Sequence, residues 1–192
     1  MRHKKEMIGL VILFFLLTSL TFAEDYPLQY FLKKVSSKAD TLSKKERVEL
    51  LDRIKQLLEQ VQEVHRKLIQ SVQTGEMEIQ YQEGKFWVSK LEEDRTSMDV
   101  ASQQMKSLLE RPTRLVPAIK LYKSLRNLSS NFNAYNNLPL FSASVGDLAP
   151  ELELWTDPVF YQLYLLPLAQ SKDSGARTSP GEKKPVSKVK KP

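Results

Sequence analysis

Residues 43–75 read SKKERVELLDRIKQLLEQVQEVHRKLIQSVQTG, a stretch with no proline and with glycine only at its last position. Ser43 and Glu46 have the spacing of a capping box, in which the two side chains satisfy free N–H groups at a helix start. Gly75 is a typical residue just beyond a helix C-terminus. The stretch therefore predicts one helix of about 30 residues, or about 45 Å at 1.5 Å per residue.

Apolar residues in this stretch recur at alternating spacings of three and four. The main row consists of Leu51, Ile54, Leu58, Val61, Leu68 and Val72, with His65 in the remaining position. A second row lies beside it, formed by Leu50, Leu57 and Val64. A coiled-coil seam needs only the first row, so the doubled row favours a wide apolar stripe that contacts two neighbours in a bundle.

The same helical period returns twice before the C-terminus. It is carried first by Leu91, Met98, Ala101, Met105, Leu108 and Leu109, and then by Ala118, Leu121, Leu125, Leu128, Phe132 and Tyr135. Residues 136–150 are expected to form a loop, and Asp157-Pro158 is expected to open a last helix over Val159–Gln170. These patterns predict a mainly α protein, an antiparallel helical bundle.

Residues 76–90 have a different period. Met77, Ile79 and Tyr81 alternate with polar residues, Glu83-Gly84 offers a turn, and Phe86 and Val88 alternate again. The alternation predicts a small β-hairpin insert at about residues 76–90, with Trp87 on the face opposite the apolar pairs.

Charge is concentrated at the two ends of the chain. The formal net charge is +6, from 29 Lys and Arg against 23 Asp and Glu. Residues 1–23 contribute +2 and residues 171–192 contribute +5, so residues 24–170 carry −1. With this balance, and with no aromatic residue in the basic tail for base stacking, we expect no nucleic-acid binding.

The N-terminus has the three parts of a secretory signal peptide. Met1–Glu6 is basic, Met7–Phe22 is uncharged, and Ala23 ends a small-residue cleavage site. We expect a signal peptide over residues 1–23 and a protein that is periplasmic or secreted. The alternative is an uncleaved anchor, although the uncharged run is shorter than the ~20 residues that cross a bilayer. Residues 24–170 then form the helical domain, and residues 171–192 a disordered tail rich in Lys and Pro.

Several kinds of chemistry have no sequence support. The chain has no cysteine, and His65 is its only histidine after residue 23, so neither a transition-metal site nor a catalytic triad is expected. No glycine-rich phosphate loop is present, and no cofactor is predicted. His65, in an apolar row, is a candidate pH switch, because its protonation would place a charge inside a packed seam. The alternative is a polar residue tolerated at the edge of that seam.

Paired carboxylates give the one route to an enzyme. Glu92, Glu93 and Asp94 adjoin the predicted hairpin, but the group around Trp155 has the more suitable residue types. Asp147, Glu151, Glu153 and Asp157 flank this tryptophan, and glycosidases combine paired carboxylates with sugar-stacking aromatic residues. Acidic residues at such positions also cap helices, which is the alternative.

We expect a non-enzymatic exported protein, an interaction or structural module that binds a protein partner or itself. Aromatic residues dominate interface energetics, although those of the last helix could instead be core. The candidate binding residues are Trp87, Tyr81, Trp155, Tyr161 and Tyr164. The alternatives are a carbohydrate-active hydrolase and a tether whose cationic tail contacts an anionic envelope surface.

Overall fold

A computed structural model describes residues 26–37, 41–75 and 81–176. These residues are mainly helical, and no strand occurs among them. In chain order the elements are α1 (Leu28–Ser36), α2 (Lys44–Thr74), α3 (Tyr81–Glu110), α4 (Leu115–Asn136), α5 (Pro139–Val145), α6 (Leu148–Leu154), a π-helical segment (Trp155–Leu165) and α7 (Leu166–Ala176).

The long helix α2 forms as the sequence predicts. The Glu46 N–H donates to Ser43 Oγ at 3.2 Å, and the Ser43 N–H donates to Glu46 Oε2 at 2.7 Å, so the capping box is complete. Gly75 ends the helix with φ +73°, a conformation that costs a side-chain-bearing residue about 1 kcal/mol or more. Both apolar rows contribute buried residues: Leu50, Leu51, Ile54, Leu57, Leu58, Val61, His65 and Leu68.

Helices α2 and α3 run antiparallel. Gln62 Nε2 donates to Ser102 Oγ at 3.0 Å, and His65 Nε2 lies 2.6 Å from the Leu91 carbonyl oxygen. The residue number therefore rises along α2 while it falls along α3.

Helices α3 and α4 are antiparallel in the same way. Arg114 Nη1, just before α4, donates to Ser107 Oγ near the end of α3 at 2.9 Å. At the other end, the rings of Trp87 and Tyr135 pack edge to face with centroids 6.1 Å apart. Three successive antiparallel helices thus form the main body of the bundle.

The fourth member of the bundle is continuous from α6 through the π-helical segment into α7. It runs antiparallel to α4: Asn133 Nδ2 donates to Glu153 Oε2 at 2.9 Å, and Tyr122 Oη donates to Asp157 Oδ1 at 2.8 Å. The short helix α1 packs on it through fully buried Phe31, whose ring lies 5.6 Å from that of Trp155.

The predicted β-hairpin at residues 76–90 is wrong, since α3 begins at Tyr81 and includes Phe86 and Val88. Residues 76–80, which hold most of its first strand, lie outside the described part of the chain. The short alternation also fits a helix, because Trp87 extends the three-four spacing of the α3 core row backward from Leu91. Two strands alone are marginal in water, whereas the helix lets Trp87 pack on Tyr135 and Phe141.

The expected loop over residues 136–150 and the expected helix start at Asp157-Pro158 are also corrected. The first contains α5 and the beginning of α6. Pro158 does not begin a helix but lies inside the π-helical segment. Proline has no N–H and its ring clashes with the carbonyl four residues earlier, so a local change to the wider π-helical register keeps the helix continuous. Helix α7 continues to Ala176, and residues 177–192 of the predicted tail lie outside the described part.

A substitution at Gly84 distinguishes experimentally between a helix and a hairpin in this part of the chain. In a helix, Gly84→Ala should raise the free energy of unfolding by about 0.5–1 kcal/mol, because alanine loses less backbone entropy. Denaturant unfolding measures this change. Gly75→Ala is the matched control and should lower stability, because Gly75 is left-handed. A loss of stability for Gly84→Ala as large as that of the control would indicate a tight turn at residues 83–84 instead.

Candidate functional site

A buried carboxylate on α3 is bonded to two residues of α4. Asp94 is 1% exposed, accepts a hydrogen bond from Tyr135 Oη at 2.5 Å through Oδ2, and accepts another from Asn131 Nδ2 through Oδ1. Burial, and secondarily the hydrogen bond and charge of Asp94, raise the pKa of Tyr135, which stays protonated as the donor. These two hydrogen bonds favour one rotation of α4 about its axis, the one that turns Asn131 and Tyr135 toward α3.

His65 makes the corresponding contact between α2 and α3. It is almost fully buried, and its Nε2 N–H donates to the Leu91 carbonyl oxygen. The predicted pH-switch role stays a prediction. A groove of about 520 Å³ beside this histidine is lined by Gln62, Arg66, Ile69, Glu92, Arg95, Met98 and Asp99.

Glu46 ties α1 to the start of α2. Its carboxylate accepts a hydrogen bond from Tyr30 Oη, pairs with Lys34 Nζ at 2.5 Å and bonds the Ser43 backbone. Burial acts to raise the pKa of Glu46, but the bonds from Lys34, Tyr30 and Ser43 together outweigh it and lower the pKa to about 2. The folded protein therefore stabilises the ionised form of the Glu46 carboxylate.

Three of the four carboxylates around Trp155 each bond a different residue, and Asp147 precedes α6 without a side-chain capping bond. Trp155 Nε1 donates to Glu151 Oε1 at 3.3 Å, while Glu153 and Asp157 accept bonds from α4. Trp155 itself is 3% exposed and packs on Phe31, so little of its ring is open to a sugar, although it lines a small cavity of about 180 Å³ together with Glu151. These side chains hold the fourth member of the bundle in place.

The predicted binding aromatics are not brought together on one surface. Trp87 is half-buried against Tyr135 and Phe141, and Tyr164 is buried with its hydroxyl donating to the Pro112 carbonyl at 2.6 Å. Trp155 is buried as well, and Tyr161 is 39% exposed. Tyr81 begins α3, and its side chain lies outside the described part.

One surface combines exposed apolar and basic side chains. On α4, Val116 is 63% exposed and Ile119 is 41% exposed. Tyr122 follows Ile119 by three residues, and its ring packs against that of Tyr161 with centroids 5.1 Å apart. We define the α4 face as Val116, Ile119, Lys120, Lys123, Arg126 and Tyr161, all of them exposed.

The α4 face carries three basic side chains, of which Arg126 lies near enough to Tyr122 to act on its pKa electrostatically. Among the described residues, Lys120, Lys123 and Arg126 take part in no ion pair. The carboxylate at the edge of the face, Asp157, accepts the Tyr122 hydroxyl. Burial and this bond to Asp157 raise the pKa of Tyr122, so it stays protonated.

Sequence reasoning missed the α4 face, although the chain carries a signal for it. Residues 111–146 contain five Lys and Arg and no Asp or Glu. Averaging charge over residues 24–170 hid this segregation behind a net charge of −1.

In the described part, no group of three or more His, Asp or Glu side chains is placed to hold a metal ion. None of the described helices is both long and apolar enough to cross a membrane. Comparison with models of known protein families, with curated proteins and with solved structures finds no match to this chain.

The contributions of Asp94 and Tyr135 to the free energy of unfolding should be strongly coupled. Asp94→Ala leaves a buried hydroxyl and a partly buried amide without their acceptor and should lower the free energy of unfolding by about 2–4 kcal/mol. Tyr135→Phe removes one bond and should cost about 1–2 kcal/mol. Because both changes break the same contact, the double variant should lose less than the sum. Denaturant unfolding of the four proteins measures the coupling, and strictly additive losses would contradict it.

Glu46 should make stability sensitive to acid. Its pKa falls from 4.5 to about 2 on folding, so its contribution is fully present above about pH 4.5 and is lost as pH falls through about 2. Glu46→Gln should flatten the pH dependence of the free energy of unfolding in this range. Glu59→Gln, at an exposed residue 3.7 Å from Lys55, is the control and should keep the wild-type slope. An unchanged slope for Glu46→Gln would show that this carboxylate is not held as described.

Proposed function

We propose that the protein is an exported, non-enzymatic interaction module that contacts its partner through the α4 face. The observation that carries this proposal is the exposure of apolar Val116 and Ile119 on the same helix as three exposed cations. Exposed Tyr161 packs on Tyr122 of that helix. Single exposed apolar residues are ordinary, whereas a group of them on one surface is typical of an interaction site.

Placement outside the cytoplasm rests on the sequence of residues 1–23, with its basic start, uncharged run and small-residue cleavage site. These residues lie outside the described part of the chain.

The structure supports the alternative functions less well than it supports the α4 face. A hydrolase needs carboxylates that converge on an open cleft, but Glu151, Glu153 and Asp157 hold separate partners and Trp155 is buried. The hairpin surface proposed for Trp87 does not exist, although Phe86 beside it is 60% exposed and is a second candidate contact. The tail of the tether hypothesis is outside the described part from residue 177 onward.

Site-specific photo-crosslinking in the cells that export the protein tests the proposal. A photoreactive residue in place of Ile119 should give adducts with a protein partner, a second copy or a membrane lipid, because this side chain is exposed on the proposed contact surface. The same residue in place of Gln60, which is exposed on α2, is the matched control and should give several-fold less adduct. Adducts at position 86 but not 119 would move the contact to the start of α3. No adduct above control at position 119 would overturn the proposal.

A further inference from the structure

The surface charge of this bundle is divided between helices. On α2 and α3, cations pair with carboxylates one turn away along the same helix, as in Arg53–Glu49 at 3.3 Å and Lys90–Glu93 at 3.2 Å. On α4, Lys120, Lys123 and Arg126 have no carboxylate on their own helix to pair with. The surfaces of α2 and α3 therefore carry both positive and negative side chains, whereas the charged side chains of α4 are all positive.

The cations of α4 lie on the same stripe as its exposed apolar residues. Val116, Ile119, Lys123 and Arg126 are separated by three, four and three residues, so they follow one another along one side of the helix. The opposite side is buried, as Leu121, Leu125 and Leu128 show. Packing therefore holds this stripe outward.

From this arrangement we propose that the α4 face docks on the surface of an anionic phospholipid bilayer. The inference rests on the proposed function and names the partner of the same surface. Lys and Arg reach anionic headgroups while short apolar side chains and a tyrosine ring enter the interface, as in helices that lie on membranes. An acidic protein is the rival partner, but the stripe on α4 is a convex helix side with two short apolar residues and no large aromatic anchor of its own.

The sequence beyond the described part carries charge of the same sign. Residues 177–192 contain six Lys and Arg against one Glu. They follow α7, which ends at Ala176. An anionic surface would attract both regions, so the experiment has to separate them.

Vesicle co-sedimentation provides the test. The protein is expressed with its full sequence, purified in the N-terminal form that the host produces, and mixed with vesicles of equal parts phosphatidylcholine and phosphatidylglycerol. Lys120→Gln/Lys123→Gln/Arg126→Gln should lower partitioning by about 100-fold, since each of the three cations near such a surface contributes about one kcal/mol. Lys55→Gln/Lys67→Gln/Arg95→Gln removes equal charge from α2 and α3 and should leave partitioning within about threefold of wild type.

Two more variants separate the contributions. Val116→Ser/Ile119→Ser keeps all charges and should lower partitioning several-fold if apolar side chains enter the interface. Neutralising Lys183, Lys184, Lys188, Lys190 and Lys191 to glutamine measures the tail, and the α4 variants should still lose binding in that background. Unchanged thermal melting, expected for exposed positions, shows that each variant folds.

Each outcome decides the inference. Loss with the α4 variants but not with the α2 and α3 control supports it. Equal loss in both, or loss only when the tail is neutralised, overturns it. If the wild-type protein ignores anionic vesicles while position 119 crosslinks to a protein in cells, the lipid inference fails and the proposed function stands. If position 119 also gives no adduct, both fail.

Discussion

The bonding of Asp94 is the constraint on which the arrangement of the bundle depends. A carboxylate buried on α3 must be satisfied, and both of its described donors, Asn131 and Tyr135, belong to α4. Meeting this requirement fixes the rotation of α4 about its own axis. Leu121 and its apolar neighbours then face the core, and the side that carries Ile119 and the cations faces outward. This polar contact and the apolar packing of α4 therefore agree on which surface the molecule exposes.

Local signals and core contacts agree in α2, which is why its sequence predicts it well: cap, apolar rows and terminal glycine all indicate one helix. Over residues 81–90 the local pattern is too short to distinguish a strand from a helix. What decides is the packing of Trp87 on Tyr135 and Phe141, residues that are distant in sequence. The π-helical segment could not be predicted either, because Asp157-Pro158 has the composition of a helix start. In the structure the helix continues past Pro158, with Trp155 and Phe160 buried on either side of it.

The candidate site was less predictable than the fold. Four of the five aromatic residues chosen from the sequence have described side chains, and of these Trp155 and Tyr164 are in the core while Trp87 packs on it. Aromatic content alone does not distinguish an interface from a core, whereas segregated charge on a helix does point to a surface. The Trp155 ring donates to Glu151, while Glu153 and Asp157 accept bonds from α4 and His65 bonds α3, so these side chains join elements of the bundle.

The most direct measurement of the central claim, that the α4 face is the contact surface, uses the absence of cysteine from the chain. Ile119→Cys and Gln60→Cys each give a single site for a spin label. With anionic vesicles, the label at position 119 should become less accessible to a water-soluble relaxing agent and more accessible to oxygen in the lipid, while the label at position 60 should not change. Equal accessibility at the two positions, with the protein bound, would contradict the account.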